Sequence, residues 1–163
     1  MFQSKIYGEL EVQKIPDKLL EYYDRMKVYN SPFEIVIGTD SQNFDNTKIV
    51  SVIVITCKGH GGIFFYEVTK HKKINDVRTK LFIETGLSIK IANKLLSIVE
   101  EDKYEELYLN SNFSIHVDAG TSDKGKTKSL VSELIGWIES SGFDCEIKPN
   151  SYAASSIADK FSK

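Results

Sequence analysis

The most informative part of the sequence is residues 33–42, FEIVIGTDSQ. The residues from Phe33 to Thr39 are rich in β-branched side chains and predict a short buried strand. Three polar residues, Asp40, Ser41 and Gln42, follow and are expected at the tip of this strand. A carboxylate at the end of a buried strand is typical of α/β sheets that build their functional sites there. The segment therefore predicts both a central strand and a first candidate site residue.

The elements on either side predict one mixed sheet flanked by helices. A helix begins near Pro16, and from Val77 onward apolar residues recur at intervals of three and four, which is typical of a helix. The other predicted elements are strands at 48–58, 63–69, 107–118 (in two parts, 107–109 and 114–118) and 143–148, and helices near 130–138 and 152–161. We predict an α/β domain with a five-stranded sheet in residues 33–163. Residues 1–32 are expected to form an extension whose helix packs on this domain.

Composition narrows the class of protein. The chain has 163 residues, 41% of them hydrophobic, which suits one compact domain. Its longest apolar stretch, residues 49–57, is far shorter than the ~20 residues of a membrane span. No secretory signal is visible, so a cytoplasmic location is expected.

The formal net charge is −2, but five basic residues stand against two acidic ones in residues 63–80. Basic and acidic regions are thus segregated.

Four carboxylates occupy suggestive positions. Asp40 and Asp118 each end a predicted strand, Glu84 lies on the apolar stripe of its helix, and Asp159 lies among apolar residues of the last helix. Buried carboxylates that lie close together repel one another unless a cation balances them. Their oxygen atoms suit Mg²⁺ or Mn²⁺, and two such ions ~3.5–4 Å apart support phosphodiester hydrolysis. For each acid considered separately, an ordinary turn or surface residue is about as good an interpretation as a metal ligand.

The order in which the acids occur, strand, helix, strand and final helix, matches that of ribonuclease H-like enzymes. Four segments resemble the bacterial YkuK family of ribonuclease H-like proteins: IGTDSQ at 37–42, ETGLSIKIANKL at 84–95, HVDAG at 116–120 and IKPNSYAASSIADKFSK at 147–163. The resemblance runs from about Phe33 to the C-terminus. It implies a ribonuclease H-like fold and a nuclease that uses two Mg²⁺ or Mn²⁺ ions. The metal ligands that it implies are Asp40, Glu84, Asp118 and Asp159.

Residues near these acids are candidates for contact with RNA, DNA or a hybrid of the two. They are Ser41, Gln42, His116, Lys126, Lys148, Asn150 and Ser155. His116 alternates with Asp118 and is expected on the same strand face, although a structural histidine is an equally good interpretation. Lys148, Asn150 and Ser155 lie near the start of the last helix, where anions are favoured. Helix capping explains Asn150 equally well. Lysines 70, 72 and 73 and the loop from Lys124 to Lys128 are expected to guide the nucleic-acid backbone.

Two alternatives remain open. Residues 120–127, GTSDKGKT, match the P-loop pattern GxxxxGK[ST] between a predicted strand and a predicted helix. A P-loop enzyme also needs an acidic residue that helps to hold Mg²⁺, usually on a later strand, and the strand that follows here ends in Lys148 and Pro149. Nucleotide binding is therefore the second choice. The third is a nucleic-acid-binding domain of the same fold without catalysis, because a fold alone does not establish an activity.

Overall fold

A computed structural model describes residues 1–120 and 126–163, with only the backbone described for Lys126 and Thr127. The strands are β1 (Phe2–Ser4), β2 (Gly8–Leu10), β3 (Phe33–Asn43), β4 (Thr47–Cys57), β5 (Gly62–His71), β6 (Ser111–His116) and β7 (Asp144–Glu146). The helices are α1 (Ile15–Met26), α2 (Val77–Val99), α3 (Glu105–Asn110), α4 (Lys126–Ser140) and α5 (Asp159–Ser162), with a π-helical segment, Ala153–Ala158, directly before α5. None of the helices in these ranges is long and apolar enough to cross a bilayer.

The strands form one mixed sheet in the order β2-β1-β5-β4-β3-β6-β7. Strands β3, β4 and β5 are antiparallel neighbours, whereas β6 and β7 run parallel to β3. The predicted mixed sheet with flanking helices is confirmed, but it has seven strands in place of five. The two additional strands, β1 and β2, form a hairpin that joins the sheet edge where Gln3 pairs with Tyr66. Each has three residues, too few to show a strand periodicity.

The strand predicted at residues 107–109 is wrong, because these residues belong to the helix α3. Leu107 is buried in the core while Leu109 is 68% exposed. Three consecutive apolar residues cannot distinguish a helix from a strand by periodicity, and the two acidic residues in the first turn of α3 favour a helix N-terminus. Strand β6 then ends at His116. Asp118 consequently lies two residues beyond the strand.

The helix predicted in the N-terminal extension is α1. Its buried residues include Leu19, Tyr22 and Tyr23, and the Tyr23 ring lies 4.7 Å from the Phe33 ring, centroid to centroid. These residues belong to the same core cluster as the helix side of the sheet. The division of the chain at residue 32 stays a prediction.

The two faces of β3 meet different partners. Ile35 and Ile37 belong to the large core that also contains residues of α1, α2 and α4, whereas Val36 belongs to a smaller cluster with the π-helical segment. Because side chains alternate along a strand, Asp40 is on the face of Val36. Ser41 is on the face of Ile37, towards α2. This alternation determines which helix each polar residue at the end of β3 can reach.

Gly38 allows the C-terminal segment to approach β3 closely. A Cβ atom at this position would lie 2.7 Å from the Ala154 nitrogen and 2.8 Å from the Ala153 carbonyl carbon. We therefore expect Gly38→Ala to lower the free energy of unfolding by about 1–3 kcal/mol, as overpacking commonly does. Urea unfolding measures this change.

A matched control is Gly136→Ala in α4, where an added Cβ would meet no atom within 4 Å. Since alanine favours a helix over glycine by about 1 kcal/mol, this variant should be as stable as the wild type or more stable. Equal stability of the Gly38→Ala protein and the wild type would contradict the close packing of the π-helical segment on β3.

Candidate functional site

Asp40 lies near the end of β3 on the face that the C-terminal segment covers. The residue is 5% exposed, and its Oδ2 atom accepts a hydrogen bond of 2.9 Å from the Ser162 hydroxyl. Burial is the main cause that raises the pKa of Asp40 to about 6, and the negative charges of Asp118 and Asp159 raise it further. Hydrogen bonds from Ser162 and from the Ser41 backbone act in the opposite direction. Asp40 is thus a buried acid with other acids near it.

Glu84 enters the interior from α2, as its position on the apolar stripe of that helix predicts. It is 7% exposed, and its Oε1 atom accepts a hydrogen bond of 2.5 Å from the Ser41 hydroxyl. Burial raises the pKa of Glu84 to about 8, with smaller contributions from the charges of Asp40 and Asp118. The Ser41 hydroxyl and the Lys80 ammonium group partly oppose this rise. Glu84 therefore favours the neutral form at neutral pH.

Asp118 and Asp159 are less buried, and each is paired with a lysine. The Asp118 Oδ1 atom lies 3.2 Å from Lys148 Nζ, and the Asp118 side chain is 22% exposed. This oxygen atom is itself buried, and in the described part of the chain it accepts no hydrogen bond of good geometry. The Asp159 Oδ2 atom lies 2.8 Å from Nζ of Lys163, which directly follows α5. A lysine ammonium group thus balances the charge of each of these two less buried acids.

Each of the four predicted metal ligands interacts electrostatically with at least one of the others. The charges of Asp118 and Asp159 act on Asp40, and the charges of Asp40 and Asp118 act on Glu84. The four carboxylates do not converge on one point. Among the residues whose side chains are described, no three His, Cys, Asp or Glu side chains lie close enough together to hold one metal ion. Serine hydroxyls and lysine ammonium groups contact these carboxylates instead.

Three of the predicted substrate contacts lie beside the acids. Ser41 is buried and donates to Glu84, and Lys148 pairs with Asp118 while its side chain stays 48% exposed. Gln42 is partly exposed and faces the same side of β3 as Asp40. Of the three, Gln42 and Lys148 are accessible from solvent as they stand.

His116 lies on the face of the sheet that the C-terminal segment covers, and it is buried. It is 2% exposed, its Nδ1 atom accepts a 3.3 Å hydrogen bond from the Ala153 backbone, and its ring lies edge-on to that of Tyr152. Its Nε2 atom lies 3.9 Å from a Glu34 oxygen, and the Ser114 hydroxyl donates to the same oxygen at 3.0 Å. Interaction with His116 and Ser114 keeps the pKa of Glu34 below its usual value. These contacts give His116 a structural role, anchoring the C-terminal segment, and its contact with substrate stays a prediction.

Two of the remaining predicted contacts form hydrogen bonds within their own segment, and the third, Lys126, has a side chain outside the described residues. Asn150 is exposed, and its backbone donates to the Ile147 carbonyl. Ser155 uses its hydroxyl within the helix, donating to the Ser151 carbonyl at 2.8 Å. The side chain of Lys126 is outside the described residues, as is most of the P-loop match, residues 121–125. The P-loop interpretation therefore stays a prediction.

Sequence reasoning missed two of the groups that contact the acids, Ser162 and Lys163. Ser162 and Lys163 follow Asp159 by three and four residues, which places them on the same helix face as Asp159. That spacing was the available signal for the Lys163 pair. No local pattern indicates that Ser162 reaches Asp40, because 122 residues separate the two. Gly38 carried a recognisable signal, since a glycine inside a strand often marks a close approach of another backbone.

Comparison with known proteins identifies the family. A family model described as ribonuclease H-like matches residues 16–163. The uncharacterized protein YkuK of Bacillus subtilis (strain 168) is 31% identical over 172 residues, which cover 100% of this chain and 97% of that protein. The N-terminal ribonuclease H domain of Rv2228c from Mycobacterium tuberculosis has a TM-score of 0.36 at 9% identity, over 79% of this chain and 93% of that one. The Mos1 transposase catalytic domain, in a structure with raltegravir and Mg, has a TM-score of 0.30 at 14% identity, over 85% of this chain and 63% of that one.

The family match covers nearly the whole chain, and the identity to YkuK extends over its full length. Both findings agree with the mixed sheet and with the resemblance noted in the four sequence segments. The chain belongs to the YkuK-like family of ribonuclease H-like proteins.

Proposed function

We propose that this protein is a metal-dependent nuclease that hydrolyses phosphodiester bonds in nucleic acid by a two-metal-ion mechanism. The observation that carries the proposal is the pair of buried acids, Asp40 and Glu84, whose pKa values rise to about 6 and about 8 beside two further carboxylates. Buried acids that repel one another are unfavourable for folding and are typical of sites that bind cations.

The donor atoms fit Mg²⁺ or Mn²⁺. All four proposed ligands, Asp40, Glu84, Asp118 and Asp159, offer carboxylate oxygens, which hard cations prefer. The buried Asp118 Oδ1 atom lacks a hydrogen-bond donor of good geometry in the described part of the chain. The lysines paired with Asp118 and Asp159 are 48% and 68% exposed, so either can move into solvent when a metal ion supplies the positive charge.

The residues have distinct roles in the proposal. Asp40 and Asp118 form the core of the site, Glu84 completes the ligands of one ion, and Asp159 holds the second ion loosely. When bound, the ions activate a water molecule and stabilise the leaving oxygen. Ser41 fixes the orientation of the Glu84 carboxylate through its hydrogen bond. Lys148, freed from Asp118, is placed to contact a phosphate of the substrate.

Cleavage assays test this function directly. Labelled RNA, DNA and RNA/DNA hybrid are incubated with the protein in Mg²⁺, in Mn²⁺ and in chelator. We expect at least one substrate to be cut only when metal is present. Binding of each nucleic acid without cleavage in either metal would favour the non-catalytic domain. Binding of ATP, with no effect on any nucleic acid, would favour the P-loop interpretation.

Metal binding should also stabilise the fold. At a free Mg²⁺ or Mn²⁺ concentration 100 times the Kd, one bound ion adds about 2.7 kcal/mol to the free energy of unfolding. For a chain of this size that corresponds to a rise in Tm of roughly 5–10 °C. Thermal unfolding of chelator-treated protein, with and without added metal, measures the rise. Asp118→Asn should reduce it, and an equal rise in this variant would argue against Asp118 as a ligand.

A further inference from the structure

A row of polar and basic side chains crosses the sheet next to Asp40. Lys48 on β4 pairs with Gln42 on β3 and with Lys70 on β5, so the three residues stand side by side. Gln42 lies two residues after Asp40 on β3, and side chains two residues apart share a face. The row therefore lies on the Asp40 side of the sheet, roughly 7 Å farther along the strands.

Among the residues whose side chains are described, the two lysines of this row have no carboxylate side chain as a partner. In the described part of the chain, neither Lys48 nor Lys70 forms an ion pair with a carboxylate. Lys70 is exposed, and Lys48 Nζ lies 3.4 Å from the backbone oxygen of Lys163 at the end of α5. That contact places Lys48 beside the helix that carries Asp159. Two further exposed lysines, 72 and 73, extend the charge beyond β5.

An aromatic side chain stands at one end of the row. Phe44 lies in the turn between β3 and β4, two residues after Gln42, and is 55% exposed. The backbone of this turn is held by a hydrogen bond of 2.8 Å from Phe44 to the Asn46 carbonyl. Val68, on the same sheet face, is 41% exposed. It stands in the cross-strand row that contains Val50 and Asp40, so the surface between the lysines and Asp40 includes apolar area. The neighbouring Asp45 is the acidic residue of the turn.

We propose that this surface binds a single-stranded stretch of nucleic acid and leads it to Asp40. The surface consists of the row Gln42, Lys48 and Lys70 together with Phe44, and these four residues are called the basic row. The part of this inference that leads the strand to Asp40 rests on the proposed nuclease function. Lysines without a carboxylate partner attract phosphates, and an exposed aromatic ring offers a surface on which an unpaired base stacks. Bases within a duplex are already stacked on their neighbours and cannot cover the Phe44 ring. The combination of charge and ring therefore favours a single strand over a duplex.

Fluorescence anisotropy tests this inference without any cleavage. Labelled single strands of DNA and RNA, and a duplex of equal length, are titrated with the protein in chelator at low salt. We expect single strands to bind at least about tenfold more tightly than the duplex. Lys48→Gln combined with Lys70→Gln should lower the slope of log affinity against log salt by about 1.4, since each phosphate contact contributes about 0.7 for single strands. Phe44→Ala should weaken binding roughly tenfold, as loss of one stacked base does.

The control is Lys90→Gln combined with Lys94→Gln, which removes two exposed charges from α2, away from the basic row. This variant should keep the single-strand affinity and salt slope of the wild type, and circular dichroism checks that every variant is folded. Absence of single-strand binding, equal binding of duplex, or a basic-row variant that behaves like the wild type would each overturn the inference. A protein that binds single strands through the basic row but cuts no substrate would contradict the nuclease proposal and leave this one standing.

Discussion

Asp40→Asn is expected to lower metal-dependent cleavage by roughly 10³-fold, equivalent to about 4 kcal/mol of lost transition-state stabilisation. Asp40 is the most connected of the four acids, because its pKa responds to Asp118 and Asp159 and its own charge acts on Glu84. An amide at this position presents one uncharged oxygen where a carboxylate presents two charged ones. Metal ions bound by the remaining acids would then be held more weakly.

The variant should remain folded, so that loss of cleavage reports on the site. An asparagine oxygen can still accept the hydrogen bond from Ser162, and removal of a buried charge relieves repulsion with Asp118 and Asp159. Asp102→Asn is the matched control, because Asp102 is exposed beyond the far end of α2. Initial rates at saturating metal, with melting curves of all three proteins, make the comparison. Cleavage by Asp40→Asn at the rate of the wild type would exclude Asp40 from the catalytic core.

The sequence predicts the central architecture because it depends on local patterns. The run of β-branched residues before Asp40 forms β3, and the apolar stripe that contains Glu84 forms α2. These predictions need only the spacing of neighbouring residues. The burial of Glu84 follows from the stripe alone and is observed.

Features that depend on distant parts of the chain were not predictable in the same way. The hydrogen bond from Ser162 to Asp40 joins residues 122 positions apart, and the N-terminal hairpin contacts the sheet mainly through β5. Alternation along β3 predicts that the Asp40 and Ser41 side chains lie on opposite faces of the sheet. It does not predict that Glu84 of α2 accepts a hydrogen bond from Ser41. The register of β3, β4 and β5, which brings Lys48 beside Gln42, depends likewise on the hairpin turns.

Glu84→Gln is expected to stabilise the metal-free protein, by an amount that increases with pH. The pKa of Glu84 is about 8 in the folded chain against a usual value of 4.5, so between these pH values the folded state keeps a proton that the unfolded state has lost. The free energy of unfolding of the wild type therefore falls as pH rises through this window. Glutamine has no proton to lose, so its contribution to the free energy of unfolding does not change with pH. At about 1.4 kcal/mol for each pH unit, the advantage of the variant at pH 9 reaches roughly 2–5 kcal/mol.

Urea unfolding of the wild type and of Glu84→Gln in chelator, at pH 4.5, 6, 7.5 and 9, measures this difference. At pH 4.5 the two proteins should be nearly equal, because a protonated glutamate and a glutamine have similar shapes and each offers an oxygen to the Ser41 hydroxyl. Glu101→Gln, at an exposed position after α2, should show no such trend. The rise of the Asp40 pKa has the same sign, but its effect on stability ends near pH 6, so the change between pH 6 and 7.5 isolates Glu84. A difference that stays constant with pH would mean that burial in the folded chain does not penalise the Glu84 charge. In that case the Glu84 carboxylate would carry no energetic penalty for a bound cation to relieve.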